Sequence, residues 1–277
     1  MTSAIFTIVL AAALLHAAWN AIVKSGTDKL LTTVLVTGCA ALVALAGLPF
    51  LPAPAPASWP FIAGSSVLQI VYFGLIARTY RVADMSLAYP LMRGTAPLLV
   101  AAASLLWLDQ HLAPAAWLGI ALVCAGVLSM AVGLGTGARA GLSLALLNAV
   151  VIAGYTLVDG IGVRRSGAAA AYTLWIFLFT GAALTAWAAW ARRDVFSAYA
   201  RQHWRRGMTG GVGTVVSYGL ALWAMTMAPV AVISALRETS ILFATAISVW
   251  ILGERVSRSR IVAVCLIAAG AMVLRGA

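Results

Sequence analysis

Apolar residues run through this chain in long stretches separated by short polar connections. The pattern predicts ten helices, near residues 3–23, 31–50, 59–80, 85–107, 114–133, 140–162, 169–190, 207–227, 230–251 and 258–274. Each is close to the ~20 mainly apolar residues that a bilayer-crossing helix needs. Almost nothing is left for a soluble domain. The first segment lacks a basic leader and is longer than a usual signal core, so it is expected to be a retained helix. Two connections stand apart. Residues 49–60, "PFLPAPAPASWP", read as a stiff uncharged spacer. Residues 191–206, "ARRDVFSAYARQHWRR", form the longest polar stretch and read as a basic linker.

Composition agrees with the pattern. Hydrophobic residues make up 63% of the chain and charged residues 9%, with a mean hydropathy of +1.02, which excludes a soluble domain with a charged surface. The net charge of +11 does not point to nucleic acid, because the basic residues are spread over many short loops without interleaved aromatics. Thirteen Lys and Arg fall in, or within three residues of, the connections after segments one, three, five, seven and nine, three fall in the other loops and termini, and two lie deep within spans. The positive-inside rule places the richer loops in the cytoplasm and both termini outside it. Cys39, Cys124 and Cys265 lie in separate segments without metal-ligand spacing, so neither a disulfide framework nor a metal site is expected.

The chain also repeats itself. A register of 144 residues lays "PLMRGTAPLLVAAASLLWLDQH" (90–111) on "SALRETSILFATAISVWILGER" (234–255) without a gap. It matches Arg93 with Arg237, Thr95 with Thr239, Ser104 with Ser248, Gly126 with Gly270 and Ala77 with Ala221. Five helices per copy is an odd number, so the second copy must cross the bilayer in the opposite sense. The expected fold is an all-α membrane protein of ten transmembrane helices in two inverted five-helix repeats, residues 1–134 and 135–277. Inverted repeats are a common plan of secondary transporters, with the substrate site near the midplane between the halves.

In "LLHAAWNAIVK" (14–24), "ARTYRVADMSLAYPLMRGTAPLLVAAASLLWLDQHL" (77–112) and "ALWAMTMAPVAVISALRETSILFATAISVWILGERV" (221–256), the chain resembles the EamA-type members of the drug/metabolite transporter superfamily. Within that superfamily its size and plan look most like bacterial amino-acid exporters, including exporters of aromatic amino acids. The resemblance implies a ring of segments one, three, four, six, eight and nine around a central cavity, with five and ten outside. It also implies a multi-pass inner-membrane protein, export as the direction, and termini in the cytoplasm, against the charge count.

Helical spacing identifies candidate lining residues. His16, Trp19 and Asn20 share one stripe of segment one, Asn148, Tyr155 and Asp159 one of segment six, and Thr214, Ser217 and Tyr218 one of segment eight. Gln69 and Tyr72 of segment three and Tyr89 of segment four complete the set, with Tyr80 sharing a face less cleanly. Each has a plainer alternative. Trp19, Tyr72, Tyr80, Tyr89, Tyr155 and Tyr218 fit an interfacial aromatic belt. His16 fits either a neutral buried imidazole or a proton-handling group. Asp159, followed by Arg164 and Arg165, reads as a solvated helix-end charge. The glycines of "GMTGGVGTV" (207–215) read as close helix packing.

Arg93 and Arg237 are arginines deep inside spans, where ionisable groups are costly and usually functional. Two roles fit. Pro90 and Pro97 free backbone carbonyls that the Arg93 guanidinium could cap, fixing a broken helix. Alternatively, one arginine presents its planar fork to a substrate carboxylate. Glu238 adjoins Arg237, but neighbours on a helix point about 100° apart and need not pair. The small multidrug members of the superfamily that the chain resembles bind organic cations through an acid in their first helix, and here that helix has none before Asp28, so the resemblance disfavours cationic drugs; arginines with aromatics favour a zwitterion or anion with an apolar side chain. The expected function is a secondary transporter of amino acids or related metabolites, working by alternating access as a monomer in the lipid bilayer, without cofactor, metal, nucleic acid or enzymatic activity. His16 or Glu238 is the expected proton-coupling group. A channel-like facilitator or a carrier of another small anion is the alternative.

Overall fold

A computed structural model describes residues 1–83, 85–107, 111–131, 139–250 and 257–277. Among them the chain is all-helical. The helices are α1 (Ser3–Lys24), α2 (Lys29–Gly47), α3 (Trp59–Val82), α4 (Met85–Trp107), α5 (Pro114–Ser129), α6 (Arg139–Ser166), α7 (Ala169–Ala191), α8 (Arg193–Met227), α9 (Val230–Arg237), α10 (Ser240–Trp250) and α11 (Arg258–Gly276). Among the described residues eight spans, with α9 and α10 counted as one, are long and apolar enough to cross a membrane. The chain is a multi-pass membrane protein. The other two predicted spans are less regular: α5 has 16 helical residues, and α4 carries Arg93 between Pro90 and Pro97.

Local chemistry sets the helix starts. The Thr2, Asp28 and Ser257 side chains accept from the Ile5, Leu31 and Arg260 amides, satisfying donors with no intrahelical partner. Pro60 and Pro114 open α3 and α5, where a missing N–H costs nothing. The Pro/Ala spacer contains two single turns of 3₁₀ helix, Leu48–Phe50 and Pro56–Ser58.

Three expectations are corrected. The basic stretch 191–206 is almost wholly helical, and from Arg193 on it is the start of the 35-residue α8. At ~1.5 Å per residue that helix is far longer than the ~30 Å hydrocarbon layer, so its basic first turns continue past the membrane. The ninth predicted segment breaks at Glu238–Thr239, where i→i+3 bonds from Glu238 N to Ala235 O and Thr239 N to Leu236 O tighten the chain. Conversely, α4 runs unbroken through both prolines. The proposed boundary at 134/135, and Glu254 and Arg255 within the repeat window, lie outside the described residues.

Glycines set the closest crossings. A Cβ on Gly270 of α11 would stand 2.7 Å from the Gly119 carbonyl oxygen of α5, so the two helices touch backbone to backbone. Gly207, Gly210 and Gly211 bring α8 onto α2, where a Cβ on Gly211 would lie 2.8 Å from the Ala40 amide nitrogen. At the face opposite the basic loops, three connections are tied together. Arg164 at the end of α6 donates to the carbonyls of Met225 and Ala228, both at 2.7 Å, and the Ala55 amide donates to Ser166 O at 2.9 Å.

Candidate functional site

A cavity of about 100 Å³ lies inside the bundle. That is several times the ~10–15 Å³ one water requires, and below the ~300–1,000 Å³ of pockets for drug-sized ligands. Its lining reaches toward the basic face, to Asn20 one turn from the end of α1 and Thr33 one turn into α2.

The predicted residues divide clearly. His16, Trp19 and Asn20 of α1 line the cavity, with Gln69 and Tyr72 of α3, Tyr89 and Arg93 of α4, Tyr155 of α6, Tyr218 of α8 and Arg237 of α9. Ser217 and Glu238 do not. Ser217 donates to Ala12 O at 2.8 Å and fastens α8 to α1. Asn148 is buried elsewhere, its amide donating to the Met92 sulfur at 3.1 Å. No lining residue comes from α5, α10 or α11, but α2 adds Thr33, Val36 and Thr37, and α7 adds Phe177, Thr180 and Gly181. Sequence reasoning passed over these two helices. The Gly181 backbone sits against the Thr37 carbonyl, a crossing that brings α2 and α7 together at the cavity wall.

Aromatic rings shape the walls. His16 and Trp19 meet edge to face at 5.1 Å, Tyr72 and Tyr155 at 5.9 Å across α3 and α6, and Phe177 and Tyr218 at 6.0 Å across α7 and α8. The Asn20 amide donates to His16 O at 2.8 Å, and the Gln69 amide to Ser65 Oγ at 3.2 Å. Trp19 Nε1 and Thr180 Oγ1 are buried without a hydrogen-bond partner among the described residues.

The charges are arranged unevenly. Arg93 is 7% exposed and, among the described residues, bonds to Glu238 and to no carbonyl freed by the prolines; its Nε donates to Glu238 Oε2 at 3.0 Å and its Nη2 lies 2.8 Å from Oε1. This two-pronged pair neutralises both groups in a medium that punishes a lone charge. Arg237 has no ion pair among the described residues. Its guanidinium lies 4.9 Å from the centre of the Tyr218 ring, within cation–π range. In the register that lays Arg93 on Arg237, Glu238 falls on Gly94. A side chain there would force Leu128 of α5 to shift, because a Cβ on Gly94 would meet its Cγ at 2.8 Å.

Asp159 overturns its reading as a solvated helix-end charge. It is 0% exposed, because α7 and α8 close over the end of α6. Its Oδ1 accepts from the Tyr172 hydroxyl at 3.1 Å and its Oδ2 from the Tyr218 hydroxyl at 2.5 Å, and Ser65 of α3 lies beside it. The nearby arginines, Arg164 and Arg165, do not hold it.

A solved crystal structure is similar at 21% identity and a TM-score of 0.75, over 99% of this chain and 96% of that one, which shows a shared fold. No curated protein matches. Residues 139–276, α6 to α11, match the profile of the EamA-like transporter family. With its all-helical membrane fold, the chain belongs to the EamA-like transporters of the drug/metabolite transporter superfamily.

Proposed function

We propose that this protein is a secondary transporter of amino acids with apolar or aromatic side chains, or of related small carboxylates, and that Arg237 receives the substrate carboxylate. The observation that carries the reading is the inequality of the two arginines: Glu238 neutralises Arg93, while Arg237 lines the cavity with no acid paired to it among the described residues. A carboxylate on that guanidinium would gain a charge-assisted bidentate bond. The aromatic walls offer an apolar body its place, and Trp19 Nε1 and Thr180 Oγ1 are buried groups whose hydrogen bonds a ligand can complete.

On this reading residues 1–134 and 135–277 are inverted halves that alternate the cavity between the two sides of the inner membrane, in a monomer that acts as a carrier and not as an enzyme. Export is the direction the resemblance implies. The ties of Arg164 and Ser166 at the face opposite the basic loops favour a carrier over an open channel. Counterflow in proteoliposomes tests the reading. Vesicles loaded with unlabelled phenylalanine, tryptophan, methionine or threonine are expected to accumulate the labelled amino acid transiently, and Arg237→Gln to abolish that accumulation in folded protein. Absence of counterflow for all four in the wild type defeats the amino-acid assignment.

A further inference from the structure

Asp159 is a fully buried carboxylate held only by hydroxyls, which is an expensive arrangement unless the group has work to do. Three helices packed against α6 present neutral hydroxyls to it, Ser65 from α3, Tyr172 from α7 and Tyr218 from α8, while α9 brings Val230 against the neighbouring Gly160. Tyr155 lies one turn away on α6, and the facing cation is Arg237 of α9, reached through Tyr218. Tyr218 therefore stands between two charges, its hydroxyl donating to Asp159 and its ring face carrying the Arg237 guanidinium. Glu238, the other buried acid of the site, is already neutralised by Arg93.

We propose that Asp159 is the proton-binding site of the transport cycle, and that it takes up one proton as a substrate carboxylate engages Arg237. The linkage to substrate rests on the function proposed above. In the unloaded protein the Asp159 carboxylate balances Arg237 across the Tyr218 ring. A second carboxylate brought to Arg237 places two negative charges about one guanidinium, and a proton on Asp159 restores the balance. Tyr218 also supplies the route, because it lines the cavity while Asp159 does not. Its hydroxyl passes its own proton to Oδ2 and takes another from the cavity, so the tyrosine is unchanged and the carboxylate becomes a carboxylic acid. Linkage is reciprocal: the proton strengthens substrate binding by the factor by which substrate strengthens proton binding. Proton and substrate then travel together, which in a membrane with excess protons outside drives uptake in place of export.

Infrared difference spectroscopy on the full chain in lipid vesicles tests this. As pH falls, a protonated-carboxyl band at the frequency of a buried acid, separate from the band of the exposed Asp and Glu, is expected in the wild type and in Glu238→Gln and to be missing in Asp159→Asn. Tyr172→Phe and Tyr218→Phe, which keep the carboxyl and each remove one donor, are expected to retain the band at a shifted frequency, so the assignment does not hang on the folding of one variant. Added phenylalanine is expected to strengthen the band at fixed pH in the wild type and not in Arg237→Gln, and a pH gradient to drive labelled phenylalanine in the direction of proton flow. A band that survives Asp159→Asn, or flux against the proton gradient, overturns the proposal. A band that belongs to Asp159 but ignores phenylalanine supports the proton site and overturns the placing of a substrate carboxylate on Arg237.

Discussion

The Glu238 carboxylate grips Arg93 of a different helix, at 3.0 and 2.8 Å, although Arg237 is its neighbour in the chain. Being adjacent on a helix turns the two side chains apart, and the chain tightens at Glu238–Thr239 just where the carboxylate must reach α4. One arginine is thereby bound and the other left for the cavity.

Breaking that pair strands a buried charge. Arg93→Gln or Glu238→Gln alone is expected to cost about 3–5 kcal/mol, and the double change less than the sum of the two. Thermal unfolding of the four proteins in detergent measures the coupling. Additive losses would mean that the pair is not what holds either charge.

Arg237 differs in kind. Its ring contact is worth about 0.5–2 kcal/mol, so Arg237→Lys is expected to change stability little while weakening substrate affinity, because an ammonium cannot present the planar fork. Counterflow kinetics and melting temperature together separate the two effects. A large loss of stability with unaltered affinity would make Arg237 a structural residue.

The seam between α5 and α11 admits no side chain at its crossing. Gly270→Leu drives atoms into the Gly119 carbonyl and the Val123 amide, both backbone, and is expected to destabilise by more than the ~1–3 kcal/mol usual for overpacking. Gly74, whose Cβ would meet nothing within 4 Å, is the control: Gly74→Ala is expected to hold or slightly raise the melting temperature. Equal losses in both variants would remove the seam's special role.

The distribution of Lys and Arg predicts that residue 277 lies outside the cytoplasm. Alkaline phosphatase fused there is expected to be active, and green fluorescent protein at the same position dark. The reverse pattern would show that the family's usual orientation prevails over the charge count.

Much of this was legible before any coordinates. Hydropathy located the helices, and the 3.6-residue period put His16, Trp19, Tyr155 and Tyr218 on faces that do meet at the cavity. Three things escaped. Thr33, Thr37 and Thr180 gave little signal, because a threonine in a span can satisfy its hydroxyl on its own helix, as Thr37 does on Thr33 O and Val34 O. Asp159 looked solvated because its sequence neighbours are arginines, while the residues that bury it come from α7 and α8. The break after Arg237 has no proline or glycine to announce it, and the prolines of α4 announce one that does not occur.

Gly94 and Glu238 also bear on the resting state. Two inverted halves with identical side chains would make the inward- and outward-facing forms equal in energy, and an idle carrier would divide its time evenly between them. On the proposed division into inverted halves, a carboxylate on one half, opposite a glycine packed closely on Leu128 on the other, breaks that tie. The empty protein should therefore wait with one particular side open, and the buried Arg93–Glu238 pair is one of the asymmetries that bias which side that is.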